Sequence, residues 1–142
     1  NAIHPTGSTN NIVNDNAGNV TIGAALTATT TVSDSKGEVR TVPVNSQTTG
    51  YTVVAGDAGK FISITTGGVT CNASIFSAGD AVTIYNNSGS NQTITAGASV
   101  TFRLAGTATT GNRTLAQYGV ATLLCVTGGA TPTFVVSGAG VT

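Results

Sequence analysis

The chain has 142 residues, room for one domain and an arm but not for two ordinary domains. Charged side chains make up 7% of it, against roughly 25% in ordinary soluble proteins, and five acids balance five bases. That balance gives no long-range pull toward phosphate backbones or anionic membranes, which argues against nucleic acid and membrane as partners.

Threonine is the commonest residue, with 27 copies, and glycine adds 19. A surface of neutral Thr, Ser, Asn and Gly avoids the cost of desolvating charges at contacts. It also lacks the repulsion that keeps copies apart in solution. Apolar residues are regularly interleaved with the polar ones, so the composition is that of a folded chain. No apolar run reaches the length of a membrane-spanning helix, and no signal-peptide pattern opens the chain. The chain contains no methionine, which reads as a processed product or a piece of a longer protein.

In chain order, residues 1–45 read as an extended arm or shaft-like oligomerisation segment. Asn1 to Ser8 is arm-like, residues 10–19 are rich in Asn, Asp and Gly, and short strands are expected at Asn19–Ile22 and Leu26–Val32. The cluster Asp34-Ser35-Lys36-Gly37 is a turn signal. Glu38–Val44 reads as a further strand, with Pro43 marking an edge or end. Asp34, Lys36, Glu38 and Arg40 crowd together here, as at a solvated hairpin tip.

Residues 46–142 read as the globular part. Strands are expected at Tyr51–Ala55, Phe61–Thr65, Val69–Ala73, Ala81–Asn86, Gln92–Ala96, Val100–Leu104, Thr114–Tyr118, Val120–Val126 and Thr133–Ser137. Short turns between them predict an all-β fold, an antiparallel β-sandwich or barrel, and no window has helical periodicity. Val100, Phe102 and Leu104 share one face, with Thr101 and Arg103 on the other. Val82 and Ile84 alternate likewise with Thr83 and Tyr85. Val120–Val126 is apolar on both faces, which predicts a central strand covered on both sides with Leu124 in the core. The sequence Ala-Gly-Asp-Ala occurs at 55–58 and again at 78–81, each time just before a strand. There the Asp carboxylate is expected to bind backbone N–H groups of a turn.

Chemistry-bearing residues are few and scattered. His4, the only histidine, lies in the arm, away from any nucleophile it could serve. Asp57 and Asp80 are the one conceivable carboxylate pair for glycoside hydrolysis, but both have turn roles and no Trp exists to stack a sugar. Residues 14–18, Asn-Asp-Asn-Ala-Gly, resemble the start of a calcium loop without the bidentate Glu that completes one. Cys71 and Cys125 lack metal-ligand spacing and sit among apolar neighbours, as buried thiols do. Whether they are bonded is open from the sequence. The Gly-rich segments lack the Lys and helix of a phosphate cradle. The reading is a non-enzyme with no catalytic, cofactor-binding or metal residues and no cofactor.

Four segments carry a resemblance: Tyr51 to Ile62, Phe76 to Asn87, Gly111 to Leu123, and Val135 to Gly140. In that order they resemble a β-rich surface module of tailed-phage (cyanophage-like) tail-fibre and other virion structural proteins. The resemblance covers residues 46–142 and implies a noncatalytic virion-surface protein of tail-fibre or capsid-decoration type. It implies a homo-oligomer, three copies being favoured, bound to other virion proteins, with host-surface glycans met through loops. The alternative from another class is a bacterial cell-surface adhesin or carbohydrate-binding module.

Overall fold

The computed structural model describes residues 32–34, 37–39 and 41–142. Twelve strands and one short 3-10 turn, Ala55–Asp57, make up its regular structure. β1 (Ser33–Asp34) and β2 (Gly37–Glu38) pair antiparallel. His4, residues 14–18 and the strand expected at Asn19–Ile22 lie outside the described residues. So does most of the expected arm, although its last two positions, Val44 and Asn45, belong to the first strand of the main sheet.

From there the chain weaves between two sheets. β3 (Val44–Gln47), β5 (Phe61–Ile64) and β7 (Ala81–Asn86) enter one sheet, and β4 (Tyr51–Thr52), β6 (Val69–Cys71) and β8 (Gln92–Ala96) enter the other in alternation. Each return lands beside the previous strand and runs parallel to it. Parallel strands need a crossover, and here the crossover is itself a strand of the opposite sheet. The result is three turns of a flattened coil without helices. Turn stacks on turn: Gly67 has φ of 85°, and a Cβ there would run into the backbone of Gly50 one turn away.

β9 (Thr101–Leu104), β10 (Arg113–Leu115), β11 (Val120–Thr127) and β12 (Thr133–Ser137) close the structure. The larger sheet has the order β3-β5-β7-β11-β12-β9 and the smaller β10-β8-β6-β4. The expected antiparallel architecture is therefore corrected. β7–β11, β11–β12 and β8–β10 are antiparallel, whereas β12–β9 joins the coil strands in pairing parallel. Alternation reports which side chains face inward and says nothing of strand direction. Neither sheet closes into a barrel among the described residues.

One buried cluster draws on both sheets. Ile62, Ile64, Val82, Ile84, Leu123 and Val136 come from the larger sheet, and Val69, Cys71, Ile94 and Leu115 from the smaller. Phe134 meets Phe102 edge-on at 5.8 Å and Phe76 at 6.0 Å. Each fully buried Val, Leu or Phe contributes roughly 1.5–3 kcal/mol, so this cluster is the principal favourable term of the fold.

Two buried polar side chains pin opposite ends of the parallel strands. Asp57 accepts from Asn45 Nδ2 (2.8 Å), Tyr51 Oη (2.9 Å) and the Val54 amide (2.9 Å), tying β3, β4 and the turn before β5 together. Asn86 Nδ2 donates to the carbonyls of Ser90 (2.7 Å), Leu115 (3.2 Å) and Ala116 (2.8 Å), and its Oδ1 accepts from Ser88 Oγ (2.7 Å). Buried polar groups held this fully specify one arrangement of their loops.

Candidate functional site

The two Ala-Gly-Asp-Ala copies occupy equivalent turns. Asp80 Oδ2 accepts from the amide of Ser77 as Asp57 Oδ2 does from that of Val54, three residues back in both cases. Both oxygens of Asp57 are engaged and the residue is buried, which leaves no room for a substrate. The hydrogen bond to Asp57 and, first, burial push the Tyr51 phenol above its ordinary value.

Cys71 and Cys125 are free, buried thiols on opposite sheets. Burial, and second the neighbouring Cys125, push Cys71 up to about 12. Burial and the Asp80 charge push Cys125 up as well. Both remain protonated at neutral pH, the opposite of an activated nucleophile. Among the described residues no group of three or more His, Cys, Asp or Glu gathers. A shallow recess of about 520 Å³ beside β9 is lined by Arg103, Gly106, Thr107 and Ala108, with one charged group and no partner for acid–base work.

The outer faces of the two sheets differ. On the smaller sheet the outward residues are Thr52, Thr70 and Thr95 in one cross-strand row and Thr93 with Thr114 in another. This face is made of threonine. On the larger sheet one row is Ala81–Leu124–Val135–Arg103, a second is Val44–Phe61–Thr83–Thr122–Ser137, and a third is Ser46–Ser63–Tyr85–Val120. The only charge in these rows is Arg103, on the edge strand β9.

The centre of that larger face is strand β11. Leu123 and Cys125 point inward and are buried, while Val120, Leu124 and Val126 point outward and are 39%, 41% and 44% exposed. The expectation that this strand is covered on both sides is thus corrected, and with it the placing of Leu124 in the core. β11 is central within its sheet, between β7 and β12, but among the described residues it is buried on one face only. A doubly apolar strand reads the same whether its second cover comes from the same chain or from another.

Two further residues carry weight that the sequence reading did not give them. Arg113 is 4% exposed on the inner side of β10, its Nε donating to the Gly111 carbonyl (3.0 Å). An arginine can lay its stem along apolar surface in this way, and only the inward neighbour Leu115 hints at it. Asn86 is fully buried. Its place at the inward phase of Val82 and Ile84 is the signal that would have found it. No protein-family model matches the chain, and no curated protein is significantly similar to it.

Proposed function

We propose that this chain is a noncatalytic structural module of a tailed-phage virion surface, acting through contacts with other protein chains. The observation that carries the reading is the outer face of the larger sheet, where exposed apolar side chains centre on Leu124 and the one charge of the strand rows, Arg103, lies at the edge. The four segments that resemble virion surface modules support it, since they supply the coil turns at Asp57 and Asp80 and much of the strands β7, β11 and β12 at the middle of this face. Packing of the two sheets as a sandwich suits a repeated surface subunit. Three copies per assembly are favoured by the resemblance to fibre proteins.

Labelled antibody raised against residues 44–142, imaged on purified particles, tests this directly. Label on fibres or on the shell is the expected result and separates the tail-fibre from the decoration role. Particles that carry neither label nor the peptide by mass spectrometry overturn the proposal.

A further inference from the structure

The geometry points to the outer face of the six-stranded sheet as the surface on which copies of this chain meet, an inference that rests on the assembly role proposed above and names its contact. The molecule contains its own control. Its smaller sheet shows what this chain places toward water, a plane of threonines, built on the same mixture of parallel and antiparallel strands. The larger sheet departs from that pattern where Phe61, Tyr85, Val120, Leu124, Val126 and Val135 face outward.

Size and charge identify the occupant. Six strands spaced about 4.8 Å apart, each rising about 3.3 Å per residue, give a plane of about 30 Å by about 20 Å. With side-chain relief, that approaches the about 800 Å² which each partner commits to a standard interface. The face offers no charge pattern by which a different partner would be selected. Its single charge, Arg103, lies on the edge strand, at the rim where interfaces keep their polar groups. A formal net charge of zero lets copies approach without repulsion. Sheet-on-sheet packing at about 10 Å is moreover the arrangement such apolar faces adopt within domains. The occupant is therefore a second copy, and the same rows turn inward whether the assembly closes at two copies or three.

Light scattering on three purified proteins tests this: the parent, Leu124→Arg and, as control on the threonine face, Thr93→Arg. The parent and Thr93→Arg are expected at two or three times the chain mass, and Leu124→Arg at 13.9 kDa with the parent's circular dichroism. Should Leu124→Arg fail to fold, Val126→Lys, exposed two residues further along the same strand, replaces it with the same expected mass. A folded Leu124→Arg or Val126→Lys protein that keeps the parent's mass overturns this contact and leaves self-assembly standing. A parent that is monomeric through the micromolar range overturns both this contact and self-assembly, whatever its place on a particle.

Discussion

The two outer faces of this molecule differ in part by the exchange of threonine for valine, residues of nearly the same shape. Threonine and valine are both β-branched and both suit a pleated surface, so the backbone does not require one over the other. The smaller sheet uses threonine at Thr52, Thr70, Thr93, Thr95 and Thr114, whereas the larger places Val120, Leu124 and Val126 outward. The difference is therefore one of environment rather than of folding. Covering the exposed two-fifths of each of these β11 residues contributes about 0.6–1.2 kcal/mol per residue. That gain is realised only when something lies against them.

The sharpest test of the contrast lies within one strand. Leu123→Ala removes a side chain with no exposure and should cost about 2–5 kcal/mol by denaturant unfolding. Leu124→Ala, one residue on, should cost less than about 1 kcal/mol in the dissociated chain. Equal losses at the two positions in a monomeric protein would show that the outer face is covered from within.

Next in size is Asn86→Ala, which strips the donor from three carbonyls and should cost about 1–3 kcal/mol. The losses should be confined to the loops at 87–91 and 115–119, seen as faster amide exchange there, with both outer faces unchanged. A pH effect is smaller and follows from Cys71. Burial pushes it from the ordinary thiol value of 9.0 up to about 12, so between the two the unfolded chain releases a proton that the folded chain keeps. Stability from this group is full below about pH 9 and declines as pH rises toward 12. Melts at rising alkaline pH should show that decline, and Cys71→Ala should reduce it. Smallest is Thr93→Val on the threonine face, within about 0.5 kcal/mol of the parent. Its informative readout is solubility, since it begins to turn the water-facing plane into a second apolar one.

Much of the strand pattern was legible from residues alone. Ala81–Asn86, Gln92–Ala96 and Thr133–Ser137 lie where alternation bounded by turn residues predicts them. The strand expected over Thr114–Tyr118 is instead Arg113–Leu115, because Tyr118 adopts a φ of 55° in the turn closed by Gly119 N–H and the Ala116 carbonyl. Strand direction was not legible, since a period of two residues is common to both pairings. The candidate surface was half legible. The apolar run of β11 stood out, but whether its second face meets its own chain depends on which strands lie above it, a long-range property that no local pattern contains.

The position of β12 has a consequence for how the molecule is made. Although it is the last of the described strands, it sits inside the larger sheet, between β11 and β9. β9, synthesised some thirty residues earlier, joins no other ladder among the described residues and has besides β12 an isolated bridge at Thr110. On a ribosome the coil can wind as it emerges, yet β9 must wait for β12 before it can dock. A product cut short before Thr133 would therefore lose two strands and not one, leaving the edge of β11 open to any passing chain.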